Sequence, residues 1–340
     1  HSLQIRDKAT GKLISKVQGN APDNAFYLAF SPDGQYLLTQ GELGNIVIWD
    51  WQQTTPQRIY RAPSMGLHMR PVIAAFTHSS QVVIRSETEG ALEILDAQPR
   101  PTDLVFAGHQ NWVRDIEFSP DGKRLYSAGA DADLRAWSVE SGQEILIEKT
   151  KTGLHELAVS RGGRYLATAG DDGTRLWAAD PVQLLHHWPS TLMTWWVEFS
   201  PDGEQLLAAG RGPGDEKVLV LINVASRQEL FRRESDEPID GLAFCTDGRR
   251  AAAVRQATGQ LDLWELSTGQ PQTIRRADEA GPMARCLKRS PSGNVVAFSV
   301  GVTIELWDVD RGQQLKSLDV GDVTWCLEFN HDGSRLFAGD

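Results

Sequence analysis

The chain has 340 residues, a formal net charge of −11 and a pI near 5.3. That acidity argues against a protein that wraps DNA or RNA, because such binding needs a basic stripe that releases counterions from phosphates. Three cysteines, Cys245, Cys286 and Cys326, give no disulfide framework, and no apolar run approaches the roughly 18 residues of a membrane span.

From the N-terminus, the first predicted strand is Leu3-Gln4-Ile5-Arg6, ending at Asp7. A Thr10-Gly11 turn leads into a second strand, Leu13-Ile14-Ser15-Lys16. A residue leading into a tight turn then recurs at Phe30, Phe76, Phe118, Val159, Phe199, Phe244, Arg289 and Phe329, at intervals of 40 to 46 residues. The clearest copies are Phe30-Ser31-Pro32-Asp33-Gly34, Phe118-Ser119-Pro120-Asp121-Gly122 and Phe199-Ser200-Pro201-Asp202-Gly203. Proline presets φ for such a turn and glycine accepts positive φ. Each lead but the last is followed by a strand end, at Trp49, Leu95, Trp137, Trp177, Ile222, Trp264 and Trp307. An acid follows at Asp50, Asp96, Glu265 and Asp308, and a further turn at Ser141-Gly142, Thr268-Gly269 and Arg311-Gly312.

Between turns the pattern alternates. Val113, Ile116 and Phe118 form one run; Leu125-Tyr126 and Leu134-Arg135-Ala136-Trp137 form the next. Short alternating runs between turn signals read as antiparallel strands, four to a repeat. A four-stranded sheet cannot bury both faces alone, so repeats of this length are expected to pack face to face around an axis. Cys286 and Cys326 each stand three residues before a turn lead, and are expected as small buried hydrophobes on equivalent strands.

These residues resemble the WD-repeat β-propellers, in a bacterial style, over essentially the whole chain. The third repeat carries Gly108-His109, Ser127, Asp131 and Trp137. The resemblance implies a structural hydrogen-bonded tetrad in which His109 links through Ser127 to Trp137 and Asp131 holds the imidazole. The fourth repeat keeps Thr168, Asp172 and Trp177 but no Gly-His, and elsewhere Leu43 and Gly301 stand near the Asp position.

The expected fold is all-β, a single domain over 1–340 forming an eight-bladed β-propeller of four-stranded antiparallel blades. The ring is expected to be closed by the N- and C-terminal strands in one composite blade, residues 1–18 plus 321–340, because Arg335-Leu336-Phe337-Ala338 reads as a second strand and Leu3-Gln4-Ile5-Arg6 as a third. Such pairing removes two sheet edges. Seven blades is the alternative, if the Phe76 or Phe244 repeat is not a blade.

In that family one face, the funnel entrance, carries the loops joining blades, and partners dock there. By analogy the positions four and six residues before each turn lead point to it. The inner set is Phe26, Val72, Arg114, His155, Trp195, Asp240, Arg285 and Trp325. The outer set is Asn24, Arg70, Trp112, Gly153, Met193, Pro238, Met283 and Val323. Trp, Arg and Met are enriched where proteins meet. The expected partner-binding residues are Phe26, Arg70, Trp112, Arg114, His155, Met193, Trp195, Asp240, Met283, Arg285 and Trp325. Because Trp195 and Trp196 are neighbours on a strand, only one can face the entrance, and a register slip would exchange them. Core filling is the competing account of these tryptophans. The connections Arg61–Met69 and Gly210–Glu216 are longer than the rest and are recognition candidates or neutral insertions.

No phosphate-binding loop, nucleophile elbow or metal-ligand spacing occurs, and His186-His187 on a strand would point to opposite faces. The reading is a non-enzymatic interaction scaffold, without cofactor or metal. Its expected partner is a protein or peptide, or another domain of a longer chain, with no nucleic acid and no membrane span; the expected location is the cytoplasm. A start at His1 rather than Met is expected of a mature or excised segment. Two alternatives stay open. One is a small-molecule or glycan sensor that stacks ligand on the tryptophans. The other is a hydrolase, which would gather carboxylates with perturbed pKa values on the axis.

Overall fold

The computed structural model describes the chain apart from residues 1, 19–24, 32–33, 35, 42–45, 52–56, 62–73, 77–81, 86–90, 96–103, 190–192, 213–215, 236, 238, 276–283, 293, 322, 325, 331 and 340. The described elements are strands. β1 (Ser2–Asp7) and β2 (Leu13–Gln18) open the chain. Sheet 1 comprises β3 (Ala25–Phe30), β4 (Tyr36–Gly41), β5 (Ile46–Asp50) and β6 (Gln57–Arg61). Sheet 2 comprises β7 (Ala74–Phe76), β8 (Val82–Arg85), β9 (Ala91–Leu95) and β10 (Leu104–Ala107). Sheet 3 comprises β11 (Val113–Phe118), β12 (Arg124–Gly129), β13 (Asp133–Ser138) and β14 (Glu144–Lys149). Sheet 4 comprises β15 (Leu154–Val159), β16 (Tyr165–Gly170), β17 (Gly173–Ala179) and β18 (Val182–Pro189). Sheet 5 comprises β19 (Met193–Phe199), β20 (Gln205–Arg211), β21 (Lys217–Asn223) and β22 (Glu229–Ser235). Sheet 6 comprises β23 (Ile239–Phe244), β24 (Arg250–Arg255), β25 (Leu261–Glu265) and β26 (Gln270–Arg275). Sheet 7 comprises β27 (Ala284–Arg289), β28 (Val295–Val300), β29 (Thr303–Asp308) and β30 (Gln313–Asp319). Last come β31 (Cys326–Phe329) and β32 (Arg335–Gly339).

The chain therefore folds as repeated four-stranded antiparallel meanders. The terminal strands form one more sheet, ordered β2-β1-β32-β31, in which Ile5 pairs with Phe337 and Leu3 with Gly339. Among the described residues no sheet closes on itself. First strands of successive sheets lie side by side, as in β11 with β15, β15 with β19, β23 with β27, and β31 with β3.

Local chemistry explains the turns. Gly122 and Gly203 take φ of 68° and 74°, a region where a side chain is strained. Ser119 Oγ donates to Asp121 Oδ1 at 2.6 Å, and Gly122 N–H to the Ser119 carbonyl at 2.8 Å. The core then lies between sheets. Leu207, Leu219 and Phe231 of sheet 5 pack on Phe244, Ala251 and Trp264 of sheet 6. Leu28 and Trp49 of sheet 1 pack on Ile5 and Phe337 of the terminal sheet. Apolar area removed from water at such seams is the main force joining the sheets.

Each tryptophan at a third-strand end is a test of local satisfaction. Trp137 Nε1 donates to Ser127 Oγ at 2.8 Å, Trp49 Nε1 to Thr39 Oγ1 at 2.9 Å, and Trp177 Nε1 to Thr168 Oγ1 at 3.1 Å. In sheet 7 the hydroxyl's place is taken by Phe298, and Trp307 Nε1 donates to Glu305 instead, at 2.8 Å. In sheet 6 it is taken by Ala253, and the buried Trp264 Nε1 has no partner. Cys245 is buried, whereas Cys286 is only partly so and takes φ of 45° at an irregularity in β27. The Cys326 side chain lies outside the described residues.

Candidate functional site

In six of the sheets the first strand departs from regular pairing at one point: β3, β11, β15, β19, β23 and β27. In β19, Thr194 pairs with Gly210 and Trp196 with Ala209, so Trp195 is left over. The same happens at Phe26, Arg114, His155 and Asp240. Each is the extra residue of a β-bulge, a feature that re-aims a side chain and recurs next to binding sites. The bulge also explains why the inward residues Val113 and Ile116 are three apart rather than two.

At β19 the consequence is large. Trp195 is 41% exposed, while Trp196 turns inward among Leu207, Leu219 and Phe231. The indole of Trp195 stacks on the His155 ring from the neighbouring sheet, with centroids 4.3 Å apart and planes 27° apart. The His155 side chain is itself buried, and its Nε2 lies 2.6 Å from Asp171 Oδ1. An exposed tryptophan thus rests on a fixed imidazole. Met193 and Trp112 are also exposed, and Arg114 is half-buried. Arg70, Met283 and Trp325 lie outside the described residues, as do the side chains of Phe26, Asp240 and Arg285 and the connections at 62–69 and 213–215.

The tetrad residues meet one another in sheet 3. His109, fully buried, has Nε2 2.8 Å from Ser127 Oγ and Nδ1 2.9 Å from Asp131 Oδ1. Burial opposes ionisation of Asp131, but the bond and charge of His109 outweigh it and hold the carboxyl below its usual range. Among the described residues, His109, Asp131 and Asp133 are the one group spaced to hold a metal, with ligand atoms within 4.8 Å. Both His109 nitrogens and the Asp133 carboxylate already have protein partners, the latter Arg135 at 2.6 Å, which leaves no site for an ion.

Sequence reasoning missed a set of carboxylates on the inner strands. Asp115 Oδ2 accepts the Leu157 N–H at 2.7 Å, and Glu156 Oε2 accepts the Val197 N–H at 2.7 Å. Each bond ties one sheet to the next. Burial pushes Asp115 up to about 7 and Glu198 up to about 7. Burial, with repulsion from Asp115, pushes Glu156 well above its ordinary value. Glu117 is raised to about 8 by burial and by Asp115, but it is exposed to water, which weakens the effect. The signal was available as acids three residues before two turn leads. Their engagement with backbone N–H groups makes Asp115 and Glu156 latches between sheets.

Comparison with known proteins agrees with the fold and the repeat. The WD40 family, described as "WD domain, G-beta repeat", matches residues 11–50 and 102–138. Transducin beta-like protein 3 of Mus musculus is 25% identical over 174 residues, 50% of this chain and 21% of that protein. Protein groucho of Drosophila melanogaster is 27% identical over 136 residues, 40% of this chain and 18% of that protein. Transcription initiation factor TFIID subunit 5 of Caenorhabditis elegans is 25% identical over 223 residues, 64% of this chain and 33% of that protein. The chain thus matches a third or less of each relative's length. Among solved structures, the computationally designed Ika8 protein superposes with a TM-score of 0.74 at 18% identity, covering 94% of this chain and 97% of that one. The β-propeller domain of Myceliophteria thermophila Cps50 (Swd1) gives 0.57 at 14% identity, with the same coverage. These likenesses support the WD40 repeat family and a β-propeller fold. The named relatives are eukaryotic, so the expected bacterial style gains no support.

Proposed function

We propose that the repeats of this WD40-type chain form an interaction scaffold without catalytic activity, built as one domain over 1–340. Its eight four-stranded sheets act as the blades of a ring, with the terminal sheet as the joint; the run of first-strand contacts from β3 to β31 and back to β3 supports this. The partner is a protein or peptide, in keeping with relatives whose names include a subunit of a larger factor. The docking face is the one that presents Trp112, Arg114, Met193 and Trp195, with Phe26, Arg70, His155, Asp240, Met283, Arg285 and Trp325 at equivalent positions.

The observation that carries this reading is Trp195. A large aromatic side chain held rigid at the surface loses little further entropy on binding, and such residues dominate interface energetics. His155 and Asp171 provide the rigidity. The test is affinity capture from the source cell with the intact chain and with a Trp112→Ala/Met193→Ala/Trp195→Ala variant. The triple variant should lose the specific partners while keeping its melting temperature. Retention of every specific partner would overturn the assignment of this face.

A further inference from the structure

The outer set of entrance positions has one member without a side chain, Gly153 of sheet 4, flanked by Trp112 of sheet 3 and Met193 of sheet 5. Both flanking side chains are exposed, at 41% and 38%. The three sheets are successive, since β11 lies beside β15 and β15 beside β19. The turn that faces this position differs as well. In sheet 3 the Ala130 N–H donates to the Trp112 carbonyl at 2.7 Å, and in sheet 4 the Asp171 N–H donates to the Gly153 carbonyl at 3.2 Å. Sheet 4 therefore has a bare backbone where sheet 3 has an indole, and a carboxylate where sheet 3 has a methyl group.

The two differences meet at one point. A Cβ at 153 would lie 3.3 Å from Asp171 Oδ2 and 3.5 Å from the Ala130 carbonyl oxygen. A larger side chain here would cover both oxygens; glycine leaves them open. Gly153 has no positive φ, so backbone conformation does not require the glycine. Asp171 Oδ1 meets His155 Nε2, the ring on which Trp195 stacks, but the Asp171 side chain is 42% exposed. Among the described residues no lysine or arginine pairs with Asp171, and the Ala130 carbonyl accepts no hydrogen bond. Lys151, two residues before Gly153, lines an outer cleft with Leu184 and His187. The notch at Gly153 thus holds two open acceptors beside exposed aromatic and thioether surface.

We propose that this notch receives a lysine or arginine side chain from a basic segment of the partner protein, an inference that rests on the Trp112–Trp195 face being the docking face. The charged head donates to Asp171 Oδ2 and to the Ala130 carbonyl. Its aliphatic stem lies between Trp112 and Met193, and the Trp195 indole adds attraction for the cation. A carboxylate or phosphate would meet two acceptors and be repelled by Asp171. An apolar side chain would strip water from that carboxylate without replacing its hydrogen bonds. The net charge of −11 favours the approach of a basic segment over long range.

The test uses the whole chain and libraries of short acetylated, amidated peptides with lysine or arginine at the centre and randomised neighbours. Matched libraries carry norleucine, citrulline or glutamate there. Basic peptides should be enriched, and the best of them should bind about tenfold more weakly to Asp171→Asn, as expected for loss of one charge-assisted bond. Gly153→Leu, which covers the acceptors and leaves Trp195 in place, should weaken binding similarly. The proposal is overturned if no basic peptide is enriched, if the norleucine or citrulline counterpart binds equally well, or if glutamate peptides are preferred. Unchanged affinity in Asp171→Asn overturns it too. So does an equal loss for the basic peptide and its neutral counterpart, because Asp171 would then act only by holding His155 against Trp195. Source-cell partners that are lost by Trp112→Ala/Met193→Ala/Trp195→Ala but kept by both Asp171→Asn and Gly153→Leu would refute the notch and leave the docking face standing.

Discussion

Ala253→Ser should stabilise this protein. Trp264 is 3% exposed and its Nε1 has no hydrogen-bond partner, while Ala253 stands on β24 where β12 has Ser127 and β16 has Thr168. Those hydroxyls accept from the indoles of Trp137 and Trp177 at 2.8 and 3.1 Å. A serine at 253 adds one oxygen and supplies the missing acceptor. A satisfied buried hydrogen bond is worth about 1 kcal/mol net, and relief of an orphaned donor adds to that. With an unfolding entropy of about 2.1 cal/mol/K per residue, 1 kcal/mol in a chain of 340 residues corresponds to a rise in Tm of about 1.5 °C. The measurement is a double-mutant cycle by chemical denaturation, with Trp264→Phe removing the N–H. The gain should vanish in the Trp264→Phe background. If Ala253→Ser is neutral or destabilising, or helps equally with Phe at 264, the hydroxyl–indole reasoning fails.

Two further perturbations act on the same framework. His109→Ala should destabilise by about 1–3 kcal/mol, because Ser127 and Asp131 lose a buried partner; scanning calorimetry should show Tm lower by roughly 1.5–4 °C, and unchanged melting would remove the tetrad from the stability argument. The inner carboxylates make a pH prediction of definite sign. Asp115 and Glu198 titrate near 7 in the fold and Glu156 is also raised, so the folded chain holds more protons than the unfolded chain above the ordinary carboxyl range. The stability they contribute is complete below about pH 4 and is lost as pH rises through about 7. Tm should therefore fall between pH 5 and 8, and Asp115→Asn/Glu156→Gln should flatten that fall; an equal slope in the variant would exclude these latches as its source.

Much of this protein is written in local chemistry. Ser-Pro-Asp-Gly turns and the tryptophans that follow them specify four short strands per repeat, because turn residues and alternation act over a few neighbours. The pairing of β1 with β32 was readable in the same way, since each terminus carries half of a repeat. The tetrad partners were named by the resemblance to WD-repeat propellers, but the 2.8 and 2.9 Å contacts exist only once β12, β13 and the approach to β11 are assembled.

What tertiary structure decided is which neighbour each side chain meets. Nothing in Thr194-Trp195-Trp196 reveals that Trp195 is the bulged residue; pairing with β20 sets that, and it sends one indole to solvent and the other to the core. The acids Asp115 and Glu156 share a place three residues before a turn lead, but their role is set only when the next sheet presents a backbone N–H to each. Contacts between sheets join residues some 40 positions apart, beyond the reach of local patterns. Turn and strand chemistry therefore determined the repeat, and packing between repeats determined which donors were left unmet, which acids were buried and which aromatics stayed exposed.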